Sequence, residues 1–393
     1  MLPAYYEFQN AVKICSGLLA LDRLSYELHS LHAKAPLVLS DATLRKLGLL
    51  DHVLSAMPDI TPACVYTDIP ADSGVSVVDH IAQLYRENEC DSIVAAGGGS
   101  VLDTAKGVAL LIAQGASHIK SLMGCDTLDR GHRVPYIAIP TTAGTGSEVT
   151  AVAVVSDPVH QVKLEYISTH LMPDVAILDV QMTQSLPPRI TASTGMDALC
   201  HAIEAFSSTQ KNPLSDAYAI ASIRLIMENL EKAVRHPHDK QARLAMANAS
   251  LLAGSAFSNS MVGGVHAIGH ATGGLCHVSH GDAMAILLPY VMRFNEDCLQ
   301  DIYSELLLYL GGPELYSQTA PARRAREAIH CVRRLAKRLN RISGLPLRLQ
   351  DTGRVKAEDL PLIAEAAVND GAMIANRKAI TQKDALKILM HAY

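Results

Sequence analysis

The character of the sequence changes once, near residues 186–188 (Leu-Pro-Pro), and this change constrains the fold more than any other feature. Before it, short β-rich runs alternate with helical segments; these runs are 36–40, 64–67, 92–96, 134–139, 151–156 and 175–178. Such alternation is typical of a parallel sheet with helical crossovers. After it, apolar residues recur at helical spacing over 216–233, 241–256 and 323–341. We therefore predict an α/β domain over residues 1–185 and an all-helical domain over residues 186–393.

Length and composition agree with two domains and argue against several kinds of partner. A chain of 393 residues exceeds one ordinary core, and 49% hydrophobic with 19% charged residues is typical of a well-buried globular protein. The net charge is −5 and no basic block stands out, which argues against nucleic acid and membrane as partners. The eight cysteines form no C-x-x-C pair, and the N-terminus has no signal-peptide pattern. We therefore expect reduced thiols and a cytoplasmic location.

Two polar loops follow successive strands of the predicted sheet. The first, Gly97-Gly98-Gly99-Ser100, lets the backbone approach a ligand closely and opens a helix whose N-terminus favours a pyrophosphate. This loop does not have the G-x-G-x-x-G pattern, and the glycines alone are equally compatible with an ordinary β-to-α turn. The second loop, 140–150, carries five hydroxyl side chains and two glycines. Because the carboxyl ends of parallel strands meet at one edge of a sheet, we expect the two loops to form one cofactor site.

An acidic side chain stands just after the first predicted strand. At that place Asp41 could accept hydrogen bonds from an adenosine ribose and repel a 2′-phosphate, which favours NAD over NADP. It lies upstream of the glycines, whereas the usual fingerprint places the carboxylate downstream. The alternative role, a helix N-cap, is equally compatible with the sequence.

Potential metal ligands are concentrated in the helical half. Asp197 and His201 stand at i and i+4 and so share one helix face. Four more histidines fall between residues 263 and 281, at positions His266, His270, His277 and His280. A carboxylate with several imidazoles suits iron(II) or zinc. A single histidine such as His277 is more simply a surface or core residue, but the density of the group predicts a metal site.

At these residues the chain resembles the iron-dependent (group III) alcohol dehydrogenases over nearly its whole length. The stretches Gly97–Lys106 and Thr141–Thr150 look like the cofactor loops of that family, and Thr194–Ala205 looks like its first metal-ligand helix. The second metal signature of the family, G-x-x-H-x-x-A-H-x-x-G-x5-P-H-G, is similar to residues 263–281. Two positions depart from it, Gly269 in place of alanine and Ser279 in place of proline, so the turn before the last histidine is expected to differ in shape.

The resemblance implies a fold, a chemistry and a set of site residues. The fold is a Rossmann-like N-terminal domain plus an all-α C-terminal domain, as in dehydroquinate synthase-like proteins, with the active site in the cleft. The chemistry is hydride transfer between NAD(H) and a small alcohol or aldehyde, helped by iron(II), with zinc as another possible metal. The implied metal ligands are Asp197, His201, His266 and His280, with His270 as a proton shuttle. The implied cofactor residues are Asp41, Gly97, Gly98, Gly99, Ser100, Asp103, Thr141, Thr142, Thr145 and Lys163. Members are commonly homodimers or larger homo-oligomers.

Three other functions remain open from the sequence. A zinc enzyme of the glycerol dehydrogenase or dehydroquinate synthase type would use fewer histidines. A hydroxyacid–oxoacid transhydrogenase would keep its nicotinamide bound and release no NADH without a second substrate. A non-catalytic metal-binding protein would bind metal but not NAD. The alcohol itself is not predicted, since Ala151, Val152 and Phe257 are only candidate pocket residues.

Overall fold

The computed structural model describes residues 3–125, 133–159 and 162–393. The chain divides into two compact units between Ser185 and Leu186. Residues 10–185 form one unit, called here the α/β unit. Residues 3–9 join the second unit, Leu186–Tyr393, called here the helical unit. The reason is local contact: the backbone N–H of Gln9 donates to Asn259 Oδ1 at 2.6 Å, and the Phe8 ring lies 5.5 Å from that of Tyr218.

The α/β unit is built around a six-stranded sheet in which every neighbouring pair is parallel. Its strand order is β1-β9-β6-β4-β2-β3, and a second sheet has the order β5-β8-β7. The strands are β1 (Lys13–Gly17), β2 (Pro36–Leu39), β3 (Cys64–Tyr66), β4 (Ser92–Gly97), β5 (Gly124–Cys125), β6 (Tyr136–Pro140), β7 (Val152–Asp157), β8 (Val162–Ile167) and β9 (Val175–Asp179). The helices are α1 (Leu24–Ser30), α2 (Ala42–Lys46), α3 (Leu49–Ser55), α4 (Val75–Glu87) and α5 (Gly99–Ala113).

Both faces of the large sheet are covered, which requires its strands to be apolar on both sides. In β2, Leu37 and Leu39 pack into one core cluster with α4 and α5, whereas Val38 packs into another with α1 and α3. Because successive side chains of a strand point to opposite faces, a continuous apolar run is what a doubly covered parallel sheet needs. This is the α/β fold that the alternating runs predicted.

Three strands of the described residues, β1, β5 and β8, were not predicted. β1 and β8 lack a continuous apolar run, because β1 is a largely exposed edge strand and β8 alternates between buried and partly buried positions; β5 has only two residues. The predicted runs 151–156 and 175–178 belong to different sheets. β7 pairs antiparallel with β8 in the small sheet, and β9 lies between β1 and β6 in the large one.

The helical unit contains ten helices in its described residues. They are α6 (Pro188–Ser207), α7 (Pro213–Arg235), α8 (Lys240–Ser258), α9 (Gly264–Cys276), α10 (His280–Asn295), α11 (Gln300–Leu310), α12 (Gly312–Gln318), α13 (Pro321–Ser343), α14 (Leu360–Ala367) and α15 (Gln382–Ala392). Helices α6, α7 and α8 pack on one another, and α9 and α10 pack together. Among the described residues, none of the helices has the length and apolar character needed to cross a membrane.

Candidate active site

Three helices of the helical unit bring the four predicted metal ligands to one point. Asp197 and His201 lie one turn apart on α6, His266 lies in the first turn of α9, and His280 opens α10. Each offers one ligand atom, and these four atoms lie within 4.8 Å of one another. Asp197 Oδ1 is 3.3 Å from His280 Nε2 and 3.9 Å from both His201 Nδ1 and His266 Nε2. This is one carboxylate oxygen and three imidazole nitrogens, a donor set suited to iron(II) or zinc.

The chemistry of the four donor atoms fits a cation. Within the described part of the chain, Asp197 Oδ1, His201 Nδ1 and His266 Nε2 are buried and have no hydrogen-bond partner. Buried polar atoms are normally paired, so three orphaned atoms aimed at one point indicate a ligand. Burial lowers the pKa of His201 to about 3 and that of His266 well below its usual range, which keeps both imidazoles neutral. Burial would raise the pKa of Asp197, but the surrounding histidines outweigh it and lower the pKa, so the carboxyl is ionised.

The remaining two histidines of the cluster differ in their surroundings. His270 lies on the same helix as His266, with its ring stacked 5.5 Å from the His280 ring. Its Nδ1 is 2.9 Å from Asp370 Oδ2, which fixes the orientation of the ring. His277 has φ = 56° and caps the C-terminal end of α9, so its role is structural, as expected from the sequence for this histidine taken singly.

Three other side chains, Glu204, Phe257 and Asp370, contact the histidines. The Glu204 carboxylate, on α6, contacts His266 Nδ1 at 2.6 Å, and the Phe257 ring stacks 4.3 Å from the His201 ring. Sequence reasoning had named Phe257 as a candidate but missed Glu204 and Asp370. Glu204 stands seven residues after Asp197, two helical turns along the helix. This spacing places it on the face of the ligands but does not indicate that it contacts His266. Asp370 lies 100 residues from its partner His270, and no local pattern points to it.

In the α/β unit, the two predicted cofactor loops touch each other. Gly97 ends β4 and pairs in register with Pro140, the last residue of β6, so both loops begin at the same edge of the sheet. A Cβ atom placed on Gly98 would lie 3.3 Å from Thr142 Cγ2, and one on Gly99 would lie 2.9 Å from Thr145 Cγ2. Glycine therefore allows the loops to approach as closely as they do. The backbone N–H groups at the start of α5 carry no side-chain cap, which suits a phosphate group.

Three further cofactor candidates already have partners within the α/β unit. Asp41 is the N-cap of α2, and its Oδ1 accepts from the N–H groups of Thr43 and Leu44 at 2.8 and 3.0 Å. Ser100 Oγ accepts from the N–H of Asp72, and Lys163 forms an ion pair with the Asp72 carboxylate at 2.8 Å. Asp41 is thus the helix N-cap that the sequence offered as the alternative role, and Oδ1 alone makes both capping hydrogen bonds.

Asp103 and the buried Lys106 attach α5 to the second loop. Asp103 accepts from Ser147 Oγ at 2.6 Å and from the N–H of Val154 at 3.1 Å. Burial raises the pKa of Asp103. Lys106 Nζ donates to Thr150 O, Thr150 Oγ1 and Val152 O at 2.7–2.9 Å, and burial lowers its pKa to about 8. The predicted loop residue Thr141 is buried, and its N–H donates to Gly97 O at 3.0 Å.

Comparison with known proteins decides the family. The family model described as "Iron-containing alcohol dehydrogenase" matches residues 11–180, and "Fe-containing alcohol dehydrogenase family, C-terminal" matches residues 191–393. The chain belongs to the iron-containing alcohol dehydrogenase family. Membership confirms the predicted family, the predicted fold and the predicted class of enzyme, a metal-dependent alcohol dehydrogenase that uses NAD(H).

Individual relatives cover most of the chain. The long-chain-alcohol dehydrogenase 1 of Geobacillus thermodenitrificans (strain NG80-2) is 43% identical over 75% of this chain and 74% of its own. The NAD-dependent methanol dehydrogenase of Bacillus methanolicus is 34% identical over 95% of this chain and 96% of its own. Among solved structures, a 1,3-propanediol oxidoreductase covers 99% of this chain and 100% of its own, with a TM-score of 0.93 and 33% identity.

Proposed function

We propose that this alcohol dehydrogenase binds iron(II) through Asp197, His201, His266 and His280, and holds NAD(H) on the two loops that follow β4 and β6. The carrying observation is the convergence of four donor atoms, three of them buried and without a hydrogen-bond partner in the described residues. A bound metal ion of this kind supplies Lewis acidity toward the alcohol or aldehyde oxygen. Zinc suits the same donors, so the metal used in the cell is an outcome of the test.

The protein residues divide the remaining work. The neutral imidazoles of His201 and His266 keep their lone pairs at neutral pH, and the ionised Asp197 offsets part of a cation's charge. His270, oriented by Asp370, is placed beside His280 and is our candidate for moving a proton to or from the substrate oxygen. The first loop would hold the pyrophosphate, and Thr142 and Thr145 would contact the rest of the dinucleotide.

The cofactor preference we propose is NAD over NADP, with Asp41 beside the adenosine ribose. The support is its second carboxylate oxygen, since a single oxygen makes both N-cap hydrogen bonds, together with the name of the Bacillus methanolicus relative. For the substrate we propose a small primary alcohol or its aldehyde. The relatives are named for a long-chain alcohol, methanol and a diol, and these names do not single out one compound.

We further propose a cytoplasmic homo-oligomer, a dimer or larger. The seven cysteines with described side chains are all free thiols, which suits a reducing compartment. β1 is an edge strand, and Ile14 on it and Leu18 and Leu19 just after it are exposed, which suits association with a second copy. Light scattering coupled to gel filtration measures the oligomeric state, and a monomer at micromolar concentration would contradict this part.

The experiment that tests the function is anaerobic reconstitution of the apoprotein with iron(II) or zinc, followed by NADH absorbance across a panel of alcohols and aldehydes. We expect metal-dependent turnover with NADH, weaker turnover with NADPH, and loss of both metal and turnover in Asp197→Asn. The control Asp216→Asn changes a carboxylate of α7 that pairs with Lys211, and should behave as the wild type. NADH binding without turnover on any metal would contradict the proposal and favour a transhydrogenase.

A further inference from the structure

Glu204 contacts one of the proposed metal ligands from behind. Its side chain is 6% exposed, on the same face of α6 as Asp197. Glu204 Oε2 lies 2.6 Å from His266 Nδ1, while Oε1 accepts from the backbone N–H of Val265 at 2.7 Å. We propose that Glu204 is a positioning residue that keeps the proton of His266 on Nδ1 and so presents Nε2 to the metal with its lone pair free. This rests on the metal site proposed above.

The chemistry of the two groups leads to this assignment. An ionised carboxylate can only accept hydrogen bonds, so a neutral imidazole beside it must donate from Nδ1. The other nitrogen, Nε2, is then unprotonated, and it faces Asp197 Oδ1 at 3.9 Å. A metal-binding histidine needs this tautomer, and an acceptor behind it also limits rotation of the ring. Cys200 Sγ, at 3.8 Å from Nδ1, is a neutral thiol and a much weaker partner.

Glu204 also has a structural role that the test must separate from positioning. α9 begins at Gly264, and its N-cap residue Gly263 has no side chain to accept the free N–H groups. The bond from Val265 supplies that cap, and a carboxylate is favourable at the positive end of a helix. A variant that merely lost the cap would loosen α9 without affecting the histidine tautomer.

Glu204→Gln separates the two roles. The amide keeps the size of the side chain and one oxygen, which can accept from Val265 and preserve the cap. The amide nitrogen then faces His266 as a donor and favours the tautomer with its proton on Nε2, which cannot bind a metal. If the amide is turned the other way, its NH₂ group opposes the N–H of Val265. We expect Glu204→Gln to weaken metal binding about 10–100-fold.

The measurements are zinc affinity by chelator competition and, in the apoprotein at pH 8.5, the His266 tautomer from ¹⁵N chemical shifts. We expect the Nδ1–H tautomer in the wild type and in Asp216→Asn, and a shift toward Nε2–H in Glu204→Gln. Wild-type affinity and tautomer in Glu204→Gln would overturn the assignment. If the wild type itself bound no zinc, the proposed metal site would fail, and the tautomers would still decide the role of Glu204.

Discussion

Metal removal should lower the melting temperature of the helical unit by an amount that the structure allows us to estimate. Three buried donor atoms lack hydrogen-bond partners among the described residues. Each such atom costs about 1–3 kcal/mol, so about 3–9 kcal/mol of unfavourable free energy is available for a ligand to relieve. A metal that binds only the folded state, at 100 times its dissociation constant, stabilises that state by about 2.7 kcal/mol. The free energy gained when a metal pairs with the three unpaired atoms is therefore large enough to account for this stabilisation.

For a unit of about 200 residues, each kcal/mol shifts the melting temperature by about 2–4 °C, so metal should raise it by about 5–11 °C. Differential scanning calorimetry of the chelator-treated protein, titrated with zinc or with iron(II) under anaerobic conditions, measures this shift. Asp197→Asn should lose the shift because the amide is a poor ligand. Asp216→Asn, in the same unit, should keep it.

Two results would refute this reasoning. An equal metal-induced shift in the wild type and in Asp197→Asn would mean that the stabilising ion binds elsewhere. A shift below 1 °C in the wild type at saturating metal would mean that the orphaned atoms do not form a ligand site. Metal analysis after gel filtration separates weak binding from no binding.

Three further predictions concern the α/β unit. Burial raises the pKa of Glu148 from 4.5 to about 7, so its contribution to stability is present below pH 4.5 and is lost as the pH rises through 7. Glu148→Gln should remove about 3 kcal/mol of this pH dependence of the unfolding free energy, measured with urea. An unchanged dependence of the unfolding free energy on pH would contradict it. Gly99→Ala places a Cβ atom 2.9 Å from Thr145 Cγ2 and should weaken NADH binding about tenfold by fluorescence titration, whereas Gly17→Ala, with nothing within 4 Å, should not. Lys106→Met leaves three oxygen acceptors without their donor and should destabilise the protein by about 3 kcal/mol in thermal unfolding, with metal content unchanged. A variant as stable as the wild type would show that the three hydrogen bonds of Lys106 are weak.

The parts of the fold that could be predicted are those where one local pattern dictates one structure. Strands β2, β4, β6 and β9 are buried on both faces, so they read as apolar runs. β8 could not be found as such a run because it alternates, and β1 because it is an exposed edge. The pairing of β7 with β8 depends on contacts outside any local window, so no local pattern predicts it.

The site divides in the same way. The convergence of the proposed metal ligands could be predicted because His266 and His280 lie in one dense stretch and Asp197 and His201 share a helix face, so each half of the set is local. The residues behind them could not be. Asp370 contacts His270 only because the chain folds back over 100 residues, and Glu204 contacts His266 only because α9 packs against α6. Contacts between a histidine of the proposed site and the side chain behind it depend on helix packing, which the spacing of residues in the sequence does not determine.

The two departures from the family's metal signature show how packing absorbs a local change. Ser279 takes the place of proline but has φ = −61°, the value that a proline ring imposes, so the turn before His280 keeps the shape that proline would give it. Gly269 takes the place of alanine because the space is occupied: a Cβ atom there would lie 1.9 Å from Met284 Cε. Met284 in turn lies on α10 and packs its sulfur 4.0 Å from Cys200 Sγ, on α6 between two of the ligands. The methyl group missing from one helix is thus replaced by a longer side chain from its neighbour, and the interior between the ligand helices stays filled.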